Sequence, residues 1–494
     1  MVSQRRFGLL LAVVSLAGLL LGMAVFDRHP PPRPTERPNF LLVITDDQSW
    51  LHTSFAGYPA VKTPNFDRIA REGVYFDNAY ASAPTCTASR SAILTGQHFW
   101  RLGSAGQLWG EFPSSLVTYQ QLLEKHGYKI GYTGKGWGPG KALLGNPAGP
   151  AYSRIRREVD PNLSNIDHVA NLDLFLRERK PGQPFSFWLG TTEPHRPYQT
   201  GIGARSGEID LAAIAVPPFL PDTDVVRRDL ADYLYEIQYF DRELGEILQT
   251  LALHGELDNT VIVFTADNGM PFPRAKSNNY EYGTHVPLAV RWGNGITAHQ
   301  QVTDFISLTD LAPTFLDLAG VPIPPDMTGR SFRQQLLAAK SGRIDKNRNV
   351  AYSGFERHIG DARQDKRGYP SRAIHTDKHL YIRNFAPERW PAGRPPELAD
   401  IDDGSPSKNQ LVLQRQDFES FWQLAAGKRP AEELYNVPRD PAQLQDLAAN
   451  PEYAPLKASL ARQLHDELLR SGDPRVTGHG EDFDGYTYYG SGGE

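Results

Sequence analysis

Four short apolar runs constrain this chain more than any other feature, because each is followed by polar or charged side chains. NFLLVIT (39–45) precedes Asp46 and Asp47, YKIGYT (128–133) precedes Gly134 and Lys135, FSFWLGT (185–191) leads to His195, and TVIVFTA (260–266) precedes Asp267, Asn268 and Gly269. The runs are rich in β-branched and aromatic residues and lack strict alternation, the pattern of parallel strands covered by helices on both faces. PLAVRW (287–292) reads as a further strand. TPNFDRIAREG (63–73) and LADYLYEIQYFDRELGEILQTLALHG (230–255) read as amphipathic helices that stop at glycines. The expected fold is therefore α/β: a large mixed, mostly parallel sheet flanked by helices, with a smaller C-terminal α+β domain.

In open parallel sheets ligands sit at the carboxyl ends of the strands. One such strand end is an ordinary turn; four of them deliver polar groups to a single rim. Asp46, Asp47, Asp267 and Asn268 form a hard oxygen set suited to Ca²⁺, with Mg²⁺ as the alternative. Three converging carboxylates repel one another without a cation. Lys135, Lys276 and Arg90 supply positive charge beside it, so the expected ligand is a tetrahedral oxyanion ester. The formal net charge of -5 argues against nucleic acid as a partner.

Cys86 is the only cysteine, in APTCTASRSAILTGQ (83–97). At the N-terminus, Arg5 and Arg6 precede the apolar run FGLLLAVVSLAGLLLGMAVF and the proline-rich RHPPPRPTERP, so residues 1–37 read as a secretory signal or retained membrane anchor plus linker. Export to the periplasm or cell exterior is the expectation, and an unpaired thiol there is either buried and inert or chemically required. Cys86 would begin a helix, among free backbone N–H groups that lower a thiol pKa and attract anions. Arg90 returns to the same helical face.

CTASR followed by SAILTG resembles the signature of the type I sulfatases of the alkaline phosphatase superfamily. NFLLVITDDQ, GYTGKGWGPG, GTTEPHRPY, VIVFTADNG and EELYNVPRDPAQLQDLA occur in that family's order. The resemblance implies that Cys86 is oxidised to formylglycine by a formylglycine-generating or anaerobic sulfatase-maturating enzyme. It also implies that the hydrated aldehyde attacks sulfur and that Asp46, Asp47, Cys86, Asp267 and Asn268 hold the cation. Arg90 then stabilises the hydrate, while Lys135, His195 and Lys276 hold the sulfate and assist the leaving group. Trp137 stands where many members have a histidine, and it cannot act as a base. His98 is one candidate to replace it.

DNGMPFPRAKSNNY (267–280) and the C-terminal segment resemble the heparan N-sulfatase group, and residues 354–393 resemble its bacterial relatives. The implied substrate is a sulfated mono- or oligosaccharide carrying an O- or N-sulfate. His98, Trp109, Glu356 and His358 are the substrate-binding candidates, with Arg383 and Trp100 as further ones. Two rival readings are a phosphonate or phosphodiester hydrolase of the same superfamily and a non-catalytic glycan-binding relative. The catalytic domain is placed at 38–345. The C-terminal subdomain, at 346–494, carries strands in VAYSGF, RAIHTD and HLYIRNF, a helix from Ala454 to Ser471, and a tail that is either flexible or laid over the domain. A homodimer is compatible with this reading.

Overall fold

The computed structural model describes residues 37–490 apart from positions 364, 402 and 403. The signal or anchor segment lies outside the described residues. Seven strands build the main sheet: β1 (Asn39–Thr45), β2 (Val74–Tyr80), β3 (Lys129–Gly134), β4 (Phe185–Gly190), β5 (Thr260–Ala266), β6 (Leu288–Arg291) and β7 (Gln300–Ser307). Their spatial order is β3-β4-β1-β5-β6-β2-β7. Only β6 runs antiparallel to its neighbours, so the sheet is mixed and mostly parallel.

β1 shows why its run lacks alternation. Phe40, Leu42 and Ile44 face one layer of helices and Leu41 and Val43 the other, and every residue of the strand is buried. The second face carries helix α1 (Pro64–Arg71) and the long helix α3 (Asp224–Leu253); the first carries α2 (Cys86–Thr95) and α4 (Leu311–Ala319). α3 starts at Asp224, ahead of the expected Leu230, because Thr223 caps it by accepting a hydrogen bond from Val226 N.

A second, fully antiparallel sheet comes next in the chain: β8 (Val350–Phe355), β9 (Ser371–Thr376), β10 (His379–Asn384) and β11 (Glu432–Asn436). Helix α5 (Ala454–Ser471) packs Leu460, Leu464 and Leu468 against Ile374, Tyr381 and Leu434 of this sheet. The same cluster contains Ala88 and Ala92 of α2, whereas Ile93 and Leu94 belong to the core of the main sheet. α2 is therefore clamped on both sides, and all ten of its residues are buried. The tail is laid over the protein. Phe483 is buried, and Gln107 Nε2 donates to its carbonyl at 2.6 Å. Among the described residues no helix is long and apolar enough to cross a membrane.

Candidate active site

The carboxyl ends of β1, β3, β4 and β5 meet the N-terminus of α2. After β1 the backbone turns at Asp47, whose φ of 70 places it in the left-handed region, which aspartate tolerates better than most residues. Consecutive strand side chains point to opposite faces. This turn brings both aspartates to one centre, with Asp46 Oδ1 3.4 Å and Asp47 Oδ1 4.0 Å from Cys86 Sγ. Two glycines let β3 and β4 end in close backbone contact. A Cβ on Gly134 would lie 2.0 Å from Gly190 O, and one on Gly190 1.9 Å from Lys135 O. The Lys135 carbonyl is thereby turned inward, where Arg90 Nη1 donates to it at 2.8 Å.

Each carboxylate divides its oxygens between two tasks. Asp46 Oδ2 accepts from Lys135 Nζ at 2.5 Å and Asp47 Oδ2 from Lys276 Nζ at 2.6 Å, which leaves the Oδ1 atoms toward the sulfur. Asp267 Oδ1 accepts from the backbone N–H groups of Asp47 and Asn268, and its Oδ2 accepts from Arg90 Nε at 2.8 Å. Three carboxylates thus face three cations in a cluster that is buried except for the partly exposed Lys135, an arrangement that avoids the cost of an unpaired buried charge.

The ligand atoms of Asp46, Asp47 and Asp267 all lie within 4.8 Å of one another. Asn268 Nδ2 donates to Asp47 Oδ1, while Asn268 Oδ1 is buried with no hydrogen-bond partner among the described residues. An orphaned amide oxygen beside three carboxylates fits a hard divalent cation, which would satisfy it. Arg90 Nη2 likewise lacks a hydrogen-bond partner among the described residues and lies 3.8 Å from Asp46 Oδ1, so a donor is held in reserve at the same centre.

The charges respond to one another. Burial raises the Asp46 carboxyl, but Lys135, with His195 and Arg90, outweighs it and holds the group at about 2. Asp267 is pushed up by burial and by the charge of Asp46. Despite burial, the neighbouring acids raise Lys135 and Lys276, so both stay cationic. The thiol departs from expectation: burial pushes Cys86 well above its usual value, and Lys135 and Lys276 only partly oppose this. As a thiol Cys86 is thus protonated and unreactive at neutral pH, and the lowering expected at a helix N-terminus is overridden by desolvation.

Cys86 opens into a cleft of roughly 590 Å³ whose wall includes Asp46, Lys135, His195, Lys276, His358 and Trp109. His195 is partly exposed; its Nδ1 donates to Arg196 O at 2.5 Å, so its Nε2 is directed into the site, 3.8 Å from Asp47 Oδ2. His358 Nδ1 meets Thr85 Oγ1 at 2.7 Å, next to Cys86. Burial, then Lys276, His195 and Lys135, push His358 well below its usual value, so it is neutral at pH 7.

Other candidates lie elsewhere. His98 is stacked on Trp100 with ring centroids 4.2 Å apart, and its Nε2 faces Glu467, away from the cleft. It is not in position to replace a histidine at Trp137. Trp100 is fully buried and bonded to Ser471. Glu356 is buried in ion pairs with Arg372 and Arg475, and Arg383 sits on an exposed position of β10, outside the cleft wall. Trp137 is a packing residue: it is edge-on to Phe112 at 5.3 Å, and its Nε1 donates to Ser91 Oγ of α2 at 2.7 Å. Asn146, Asn162 and Thr192 also line the cleft; Thr192 directly follows the run 185–191, whereas Asn146 and Asn162 follow no apolar run that would have marked them in the sequence.

Residues 38–321 match the model of the sulfatase family. This chain belongs to the sulfatase family. Residues 275–391 also match the model described as N-sulphoglucosamine sulphohydrolase, C-terminal. An ulvan-active sulfatase of Formosa agariphila is 28% identical over 473 residues, covering 89% of this chain and 76% of the relative. The N-sulphoglucosamine sulphohydrolase of Homo sapiens is 28% identical over 491 residues, covering 89% and 92%. A solved structure described as a complex with its substrate D-glucosamine-2-N,6-O-disulfate shares the fold, with a TM-score of 0.65, 21% identity, and coverage of 89% of this chain and 99% of that one. The protein is accordingly a hydrolase of sulfate esters or N-sulfates, and its cluster of Asp46, Asp47 and Asp267 is a group of carboxylates that could hold a metal ion.

Proposed function

We propose that this sulfatase removes an O- or N-sulfate from a sulfated mono- or oligosaccharide, working with Ca²⁺ and with Cys86 matured to formylglycine. The observation that carries the reading is the set of groups around one buried sulfur: the Oδ1 atoms of Asp46 and Asp47 turned toward it, the orphaned Asn268 Oδ1 and the spare Arg90 Nη2. When bound, the cation would acidify the nucleophile and polarise a sulfate oxygen. Lys135 and Lys276, on the cleft wall, neutralise the sulfate charge, and Arg90 donates to the nucleophile. His195, with its Nδ1 proton fixed on Arg196 O, presents Nε2 to donate a proton to the leaving group when protonated. With no histidine at 137, Trp137 holds α2 through Ser91 and takes no part in proton transfer. His358, neutral beside Thr85 on the cleft wall, is a second imidazole next to His195, whose ring nitrogen lies within 4.8 Å of Cys86 Sγ. The export reading and the need for a maturation enzyme belong to the same proposal.

The test is co-expression with a formylglycine-generating enzyme, peptide mass spectrometry across residue 86, and sulfate release from two disaccharides, one N-sulfated from heparin and one O-sulfated from ulvan. Aldehyde at residue 86 with Ca²⁺-dependent sulfate release from either supports the reading. A matured enzyme in saturating Ca²⁺ that leaves both disaccharides and 4-nitrophenyl sulfate untouched refutes it.

A further inference from the structure

Trp109 is a bulky residue with a φ of 55, in the left-handed region that such side chains occupy only where the surroundings hold them. Its ring is partly exposed on the cleft wall. Every other tryptophan of the chain is packed in an apolar cluster or stacked on another ring; Trp109 has neither arrangement among the described residues. An unpartnered indole face beside a site for a sulfated saccharide is suited to stack on a pyranose ring.

The backbone at Trp109 is gripped from two sides. Its N–H donates to Pro139 O at 3.2 Å, and its carbonyl accepts from Tyr489 N at 2.8 Å. Tyr489 is further fixed by its hydroxyl on Glu111 Oε2 at 2.9 Å and by Lys141 Nζ, 4.8 Å from its ring centre. The same tail braces the facing rim segment. Arg357 Nη2 donates to Tyr486 O at 2.8 Å, Gly368 N donates to Asp484 Oδ1 at 3.0 Å, and Leu108 N donates to Arg357 O across the two segments. Leu108, Trp109, His358 and Ile359, which these contacts hold, are all cleft-wall residues.

We propose that Trp109 is a sugar-stacking platform at the cleft mouth and that the C-terminal segment through Tyr489 is a strap that holds it in its strained conformation. This rests on the sulfated-saccharide reading above. Trp109 sets affinity for the saccharide, and Tyr489 is a positioning residue that acts through it.

The decisive variant is Tyr489→Pro, which deletes the N–H that reaches Trp109. Tyr489→Phe, which keeps it, is the control, and a chain ending at Gly485 is the larger perturbation. Three readouts are compared with the full chain: amide exchange of residues 107–111, calorimetric affinity of the unmatured protein for the two disaccharides, and matured-enzyme kinetics on 4-nitrophenyl sulfate. The strap predicts faster exchange at 107–111 and about tenfold weaker disaccharide binding in Tyr489→Pro and in the truncation. For Tyr489→Pro it also predicts kcat on 4-nitrophenyl sulfate within twofold, and it predicts parental behaviour for Tyr489→Phe. Unchanged disaccharide affinity, unchanged exchange, equal losses on both probes, or no measurable disaccharide binding by the full chain would each overturn it. Absence of sulfate release condemns the sulfatase reading alone, because the binding comparison needs no turnover.

Discussion

Replacing Arg90 with methionine tests whether the buried cluster is built around a divalent cation. Arg90 is fully buried, donates to Asp267 Oδ2 at 2.8 Å and to two backbone carbonyls, and lies 3.8 Å from Asp46 Oδ1. Removing it leaves three carboxylates facing two lysines. Breaking one side of a buried pair costs about 3–5 kcal/mol. With an unfolding entropy of about 2.1 cal/mol/K per residue over roughly 450 described residues, that is a fall in Tm of about 3–5 °C for the metal-free protein. A divalent cation answers the same deficit. With one positive charge gone, Ca²⁺ affinity should tighten by at least about tenfold, returning roughly 1.4 kcal/mol at saturating Ca²⁺. Scanning calorimetry of parent and Arg90→Met, in EDTA and in excess Ca²⁺, measures both terms. The penalty should be larger in EDTA by about 1–2 °C. An equal penalty in both buffers, or a larger one in Ca²⁺, would refute the assignment of Asp46, Asp47, Asp267 and Asn268 as one cation site.

Three shorter tests address other parts of the molecule. Trp137→His, which restores the residue common in the family, should lower stability by about 2–4 kcal/mol, since it removes a buried indole and its bond to Ser91. It should not raise kcat, and a variant both stable and faster would show that Trp137 is not a packing residue. Glu281 is buried between His285 Nδ1 at 2.9 Å and His375 Nδ1 at 3.1 Å, and these histidines hold its carboxyl far below the ordinary 4.5 against the pull of burial. A depressed folded pKa gives stability that is full above the unfolded value and is lost as pH falls below about 4.5 toward the folded one. Glu281→Gln should flatten Tm against pH between about 4.5 and 3, and an unchanged slope there counts against this account. Matured enzyme should favour 4-nitrophenyl sulfate over bis(4-nitrophenyl) phosphate by at least about tenfold in kcat/KM; the reverse order would support the phosphodiesterase alternative.

The features readable in the sequence are those set by local rules. Apolar runs followed by Asp46, Lys135 and Asp267, and by the turn that leads to His195, mark strand ends because a buried strand does not continue through such polar groups, and parallel strands share one ligand-binding rim. The sequence does not say how Asp46 and Asp47, adjacent in the chain, reach a common centre; that needs the left-handed turn at Asp47. Thiol reactivity escapes the sequence for a related reason. A helix N-terminus is a local feature, whereas the desolvation that raises Cys86 comes from two separate cores closing on α2. The three consecutive residues Glu356, Arg357 and His358 divide in the same way, since β8 ends at Phe355 and strand alternation no longer governs where their side chains point. Glu356 turns into ion pairs with Arg372 and Arg475, Arg357 holds the tail, and only His358 reaches the cleft. Chemistry carried by strand ends is therefore legible. The shape of the substrate pocket is not, because Trp109 and its brace at Tyr489 lie far apart in the chain and are brought together only by the tertiary fold.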